Sequence, residues 1–575
     1  MKFKILLCLL LPAFYAKAQT YITHANVLDV QAHKVLRDYT IVIRDSIIAQ
    51  VAPSARVRPA AGAQVIDAAG KWVMPGLMDA HVHFFQTGGI FTRPDAIDLR
   101  AYHPYETELT WYRHNLEDQL RRYLSCGITT VMDDGATLEL LQQRDTFRNK
   151  SYAPRILMAG PLISTNYMPR SFEVLGETDA PFFNVTTPEE AVKMTQQQYP
   201  YHPDFIKIWY IVRNNDKKAD AERNLPLVQA TVQEAHQHGY KVAVHAPQLI
   251  AARLAVEAGA NHLVHSVDDE IVDDDFIRLL KKNKVALCPT LTVRSGYTTT
   301  QKQTRRPDDI DLALANPEQL GTLDELTWLG DTALAGRYRR SATAREPGFR
   351  AGDSISRINL KKLYDAGVVI AAGTDAGNIG TMHAASYFKE LRAMREAGLS
   401  NWQVLTAATL NGARVFGKEN EFGSIARGRS ADLLILDANP VADLDNLRKV
   451  HLVINRGTAF GPDTLVQETP LMLAQRQLNA YNAHNLDAFL DAYADDVAVY
   501  NFPDELVFQG KEEMRKKYAF LNDAPGLHAE IEKRIVLGNT VIDHERATIP
   551  GREPVEVIAM YVIEHGKIAR VYFKR

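Results

Sequence analysis

Between residues 76 and 418, short apolar runs alternate with long helical stretches, and few folds accommodate that order. GLMDAHVHF, GITTVMDDG, RILMAGPL, FIKIWYIV, KVAVHA, HLVHSV, VALCPTLTV and VIAAGTDAG have the length and composition of buried strands. The stretches between them, such as ELTWYRHNLEDQLRRYLSCG and APQLIAARLAVEAGA, are helical in pattern. Eight strands interleaved with helices predict an α/β chain folded as a (β/α)8 TIM barrel. Such a barrel carries its chemistry at the C-terminal ends of its strands.

Metal-type residues fall at those ends. Strand alternation projects His81 and His83 from one face. Lys207 lies in the fourth strand, His245 ends the fifth, His265 ends the sixth and Asp375 ends the eighth. Each is weak alone, because a strand-end histidine is often a core residue and an aspartate after Gly-Thr often caps a turn. Six in order at the correct ends point to a metal site, since imidazole and carboxylate suit zinc and similar ions. His262 competes with His265. The LVH strand end favours His265, and His262, three residues earlier, is expected on the opposite strand face. Arg294, Tyr297, Tyr210 and His383 are candidates for the pocket wall, with surface roles as the alternative.

The flanks have other textures. Lys2 and Lys4, the apolar run from Ile5 to Phe14 and the Ala16-Lys17-Ala18 triplet fit a cleaved signal peptide over 1–18, hence a periplasmic or secreted protein. The run is too short to span a membrane as a stable helix. Cys8 lies within it, and Cys126 and Cys288 make no disulfide framework. A hydrophobic content of 46% allows a large core, and a formal charge of −3 argues against a nucleic-acid partner. Residues 19–75 and 419–461 are both β-rich, which predicts a small composite β-sandwich built from both ends of the 76–418 barrel. The stretch from 298 to 350 exceeds an ordinary barrel loop and is expected to be a lid or binding element. After a linker at 462–470, residues 470–575 read as one helix and then a run of strands, an α+β domain.

The segments PGLMDAHVHF, FIKIWY, AVHA, LVHS and GTDAG together resemble the amidohydrolase superfamily of metal-dependent hydrolases. VLDVQAHKVLRDYTIVIRDSIIAQV and FGSIARGRSADLLILDANPVADL resemble the two sandwich halves of that group. TAATLNGARVFG and the FIKIWY strand look like its imidazolonepropionase-like and Xaa-Pro dipeptidase-like branch. The resemblance implies one or two divalent ions, zinc first. His81, His83 and Asp375 would hold one and His245 and His265 the other, with Lys207, N6-carboxylated, bridging them. It also implies cleavage of a C–N bond (amide, peptide or cyclic amide) in a small-molecule substrate by metal-activated hydroxide, with Asp375 the catalytic base and then acid. RILMAGPLISTNYMPRSFEV departs from the Gly-Gly-His stretch of the dipeptidase-like branch. AYNAHNLDAFLDAYADDVAVY, GKEEMRKKY and GKIARVYF resemble the SnoaL-like, nuclear-transport-factor-2-like family. That implies a cone-shaped fold and an accessory role or a homodimer or higher homo-oligomer. His544 and Glu545 are strand neighbours there, so at most one faces the cone interior. A second activity in this domain, and a binding protein without catalysis, are the alternative readings.

Overall fold

The computed structural model describes residues 19–166, 179–213 and 216–575. The expected signal peptide lies outside them, as does the 167–178 part of the RILMAGPLISTNYMPRSFEV stretch.

Seven barrel strands are regular: β1 (Leu77–Val82), β2 (Ile128–Asp133), β3 (Arg155–Met158), β4 (Ile206–Trp209), β5 (Val242–His245), β6 (His262–Val264) and β7 (Ala286–Cys288). They pair in parallel in chain order, and a bridge between Ala159 and Phe205 joins β3 to β4. The eighth position, residues 369–376, closes the ring without being a regular strand. It is tied by parallel bridges from Ile370 to Leu287 and from Ala376 to Val82. The irregularity has a local cause. A side chain at position 373 would meet the His81 amide nitrogen at 2.7 Å and Cys288 Sγ at 2.5 Å, so only glycine allows the closure. Asp375 follows in the left-handed region, with φ 63°. Ala80, Met132, Leu157, Phe205, Ala243 and Val264 fill the barrel interior, small residues opposite large ones.

The 298–350 stretch is helical. After Val293–Gln301, short helices at Asp309–Leu314, Pro317–Gly321 and Glu325–Trp328 form a block. The chain then enters one 34-residue helix, Thr332–Asp365, which fuses the end of the insertion with the barrel helix that precedes the eighth position. Leu334, Tyr338, Ser341, Arg345, Phe349 and Asp353 recur at helical spacing along this helix and line the cavity above the barrel mouth. The helix therefore roofs that cavity.

The two β-rich flanks are hydrogen-bonded as one eight-stranded sheet with its own apolar cluster, including Ile22, Ile41, Val73, Leu433 and Ile454. Trp72–Pro75 pairs with Leu433–Leu436, which joins the chain before the barrel to the chain after it. Gly457 lies at φ 82°, and a Cβ there would stand 1.9 Å from the Asp45 carbonyl oxygen. Gly457→Ala is expected to cost about 2–4 kcal/mol, read by urea unfolding, because backbone and not a flexible side chain blocks the space.

Past residue 470, helices Pro470–Asn482, Leu486–Asp491 and Lys511–Tyr518 cover one face of a six-stranded sheet. The apolar core runs without a break from the barrel through Leu312, Leu320 and Leu323 of the insertion to Leu473, Leu486 and Phe489 of this domain.

Candidate metal centre

Register partners in a sheet share a face, so the pairings Lys207–Ala243 and Ala243–His262 put Lys207 and His262 in one interior layer. The pairings of Trp209 with His245 and of His245 with Val264 make the next layer towards the mouth. His262 thus faces inward beneath the site and not to the opposite side from His265. Plain alternation would send His265 outward, but its φ of 70° turns it back to the mouth. Thr290 Oγ1, 2.6 Å from His265 Nδ1, fixes that ring.

The structure brings the six sequence-predicted residues together. His81 Nε2 and His83 Nε2 are 3.2 Å apart, and they lie 3.3 and 3.2 Å from Asp375 Oδ1. Ring centroids of His245 and His265 are 4.4 Å apart, and His265 is 5.1 Å from His81. Lys207 Nζ points at Asp134 Oδ1 from 3.8 Å. Asp134 sits on the other side of His81, with Oδ2 3.3 Å from Nδ1. All of these groups are buried apart from the His245 and His265 rings, which are partly open to the cavity.

Burial sets the proton states. It pushes His81 well below the ordinary imidazole range, with the Lys207 charge adding to it, and takes His245 to about 3 for the same two reasons. His265 is also pushed well down, by burial and then by His245. For His83 burial works the same way, but the hydrogen bond and charge of Asp375 outweigh it and raise its pKa. Burial lowers Lys207 and lifts Asp134 to about 6, each partly opposed by the other's charge. His81, His245 and His265 are thereby held neutral, the state a metal ligand requires, whereas at His83 an ion would have to displace the proton that Asp375 stabilises.

The donor set fits an ion. One ligand atom each from His81, His83 and Asp375 lies within 4.8 Å of the others. Ligands about 2.0–2.1 Å from a shared tetrahedral centre would be about 3.3–3.4 Å apart, close to the spacings found. Behind the cluster, buried His81 Nδ1 faces Asp134 Oδ2 at 3.3 Å, a carboxylate placed to orient an imidazole whose Nε2 faces His83 and Asp375.

Above lies a cavity of about 1470 Å3, into which Arg294 and Tyr297 both project. Arg294 is compensated there by Asp268 and Asp353. Tyr210 does not line it. Its hydroxyl donates to the Ala221 carbonyl, and Trp209 takes the wall position because residues 207 and 209 point inward while 210 points out. His383 is held behind β1 by Tyr123 and the Gln86 carbonyl, stacked on Phe84. In the C-terminal domain Glu545 is buried, accepting from the Tyr561 hydroxyl at 2.6 Å, and His544 is on the outer side. Sequence reasoning missed Asp133, Asp134 and Asn378. The paired acids of MDDG at the end of β2 were a usable signal, since charged residues rarely end a buried strand without a partner.

Residues 72–459 match the model of the amidohydrolase family, and residues 474–571 match a SnoaL-like domain. An uncharacterized protein of Mycobacterium bovis is 27% identical over 236 residues, covering 41% of this chain and 52% of its own length. The match thus spans about half of that relative. Imidazolonepropionase of Syntrophobacter fumaroxidans is 34% identical over 149 residues, covering 21% of this chain and 34% of its own. Among solved structures, a putative prolidase from Bifidobacterium longum aligns with a TM-score of 0.56 at 26% identity, over 78% of this chain and 98% of that one. A Xaa-Pro dipeptidase with bound methionine aligns at 0.59 and 23% identity, over 77% and 100%, a likeness of fold. With a matched model over most of its length and the family's barrel around the converging histidines, this chain belongs to the amidohydrolase family and carries a SnoaL-like domain at its C-terminal end.

Proposed function

We propose that the protein is a metal-dependent hydrolase that cleaves a C–N bond in a small amide, dipeptide or cyclic amide. The observation that carries this reading is the meeting of His81, His83 and Asp375 at 3.2–3.3 Å beneath a large cavity at the barrel mouth. His81, His83 and Asp375 would hold one ion, and His245 and His265 a second. A divalent ion held there, zinc first, would supply a water acidic enough to ionise near neutrality and a Lewis acid for the scissile carbonyl. Asp375 would accept a proton from the attacking water and return it to the leaving nitrogen, which as an amine leaves poorly unless protonated. The cavity walls orient the substrate. Metal analysis of the purified protein, followed by a screen of N-acyl amino acids, dipeptides, lactams and hydantoin-like rings, tests the reading; no bound metal and no turnover would overturn it.

Lys207 divides two versions. A carbamate on its nitrogen would add two oxygen ligands for a pair of ions, and burial favours the neutral amine that carbon dioxide needs. An unmodified lysine, paired with Asp134 instead, would imply a single ion. Intact mass under non-denaturing conditions, together with metal stoichiometry, separates the two.

The N-terminal signal supports export to the periplasm or medium, tested by N-terminal sequencing of the mature protein. For the C-terminal domain we propose self-association through its uncovered sheet face. Ile535, Ile542, Met560, Tyr572, Tyr500 and Leu506 are successive register partners across all six strands, a continuous apolar row. Ile535 is 62% and nearby Leu537 80% exposed. Ile535→Lys combined with Leu537→Lys is expected to convert a dimer to a monomer in sedimentation equilibrium, with the fold retained. A monomeric wild type would end this idea.

A further inference from the structure

We propose that Asn378 is a positioning residue for Asp375, and that Tyr297 and Arg93 set the orientation of its amide. The inference rests on the metal reading above and adds residues to it.

Asn378 is buried two residues beyond the closing bridge at Ala376. Its Nδ2 donates to Asp375 Oδ1 at 2.8 Å and to the Asp375 carbonyl at 3.0 Å. Its Oδ1 accepts from the Tyr297 hydroxyl at 2.6 Å and from Arg93 Nη1 at 3.2 Å. An amide has one accepting end and one donating end. A guanidinium can only donate, so a reversed amide would set donor against donor at Arg93 and acceptor against acceptor at Asp375. Arg93 is itself fixed, because Nε and Nη2 grip both Asp95 oxygens at 2.7 Å in a bidentate pair. Its remaining nitrogen is thereby aimed at Asn378.

The consequence falls on one oxygen. Asp375 Oδ1 is the atom nearest both His81 and His83, and Asn378 holds that same atom while bonding the residue's own carbonyl. Two bonds from one amide to the main chain and side chain of Asp375 lock its torsion. Asp375 sits at φ 63°, outside regular strand geometry, so β-sheet bonding alone does not supply that lock. With Oδ1 committed to the ligand cluster, Oδ2 is left to carry the proton. Arg93, Tyr297 and Asn378 all border the cavity and come from three separate segments: the loop after β1, the first helix after β7 and the loop after the eighth position. The wall of the cavity and the geometry of Asp375 are therefore linked.

The test uses the metal-free full-length protein titrated with Co2+ and followed by visible absorption. Asn378→Ala is expected to weaken Co2+ binding about 10- to 100-fold and to change the d–d band, as loss of a partner that orients a ligand does. Tyr297→Phe, which removes a single oxygen, is expected to weaken it about threefold. The double variant should be no weaker than Asn378→Ala alone, because Tyr297 acts through the amide. If Asn378→Ala fails to fold, Tyr297→Phe alone decides: unchanged affinity and spectrum overturn the inference. Wild-type binding with an unaltered Asn378→Ala, or additive effects in the double variant, also overturns it while leaving the metal reading intact. Absence of Co2+ binding by the wild type overturns both.

Discussion

His81→Asn is expected to abolish turnover while the barrel stays folded. His81 is 1% exposed and contributes Nε2 to the cluster with His83 and Asp375. Asparagine keeps a polar group but is too short to place a nitrogen at the same point. The contacts of its side chain are with the polar groups of the cluster, His83, His265, Asp134 and Asp375, so the substitution leaves the apolar barrel interior intact. Losing a ligand that helps stabilise transition-state charge is worth several kcal/mol, which corresponds to about 10^3-fold or more in kcat/KM. The checks are turnover of whichever amide the screen identifies, metal content per chain, and the near-ultraviolet circular dichroism. Chelation should produce the same loss in the wild type, reversed by Zn2+, and His81→Asn should not respond to Zn2+. Full activity in this variant would remove the basis of the proposed chemistry.

Ending the chain at Leu465 is expected to destabilise the barrel itself, although the cut falls in what reads from the sequence as a linker. Asn479 Nδ2 donates to the Pro317 carbonyl at 2.7 Å, Asn485 Nδ2 to Asp309 at 2.7 Å, and Trp328 stacks on His528 at 3.8 Å. A side chain at Gly321 would meet Gln475 at 2.5 Å, which shows how closely the two parts approach. The same block touches the loop after β1: Gln319 accepts from Thr87 at 2.9 Å and Thr322 from the Ile90 amide at 3.0 Å. Cutting the chain would uncover the Pro317–Gly321 helix with Leu320, which packs on Pro470–Asn482, and a buried leucine is worth about 1.5–3 kcal/mol. A protein's net margin is only about 5–15 kcal/mol. The shortened chain should unfold by calorimetry at a clearly lower temperature or without cooperativity. Hydrogen exchange should rise over 309–357, and turnover should fall more than about tenfold as the roof helix loses its footing. Identical melting and exchange in the short form would mean that the two parts are independent.

The barrel and the convergence of the six candidate residues at its mouth were legible because both depend on local pattern. Strand runs between helices fix the topology, and the family-type residues sit where strands end. Four things were not legible, for physical reasons. Tyr210 is a pocket candidate in the sequence, whereas counting alternation from Lys207 sends it outward, to the Ala221 carbonyl. His262 was placed on the far side from His265 because a left-handed turn at the strand end cannot be read from alternation. The fusion of the insertion with the next barrel helix was hidden by Pro347, which interrupts the helical signal inside Thr332–Asp365. Asn378 escaped because its importance comes from Arg93 and Tyr297, remote in sequence and brought to it only by closure of the ring.

The pairing of Trp72–Pro75 with Leu433–Leu436 bears on how the polypeptide acquires its shape during synthesis. Roughly 360 residues separate the partners, so at about 5–20 residues per second the early strand waits some 20–70 s for its mate. Contacts so far apart along the chain make for slow folding. While still attached to the ribosome, the growing chain therefore carries an unpaired strand edge, and holdase chaperones are expected to bind it near Trp72–Pro75 until the barrel has been made.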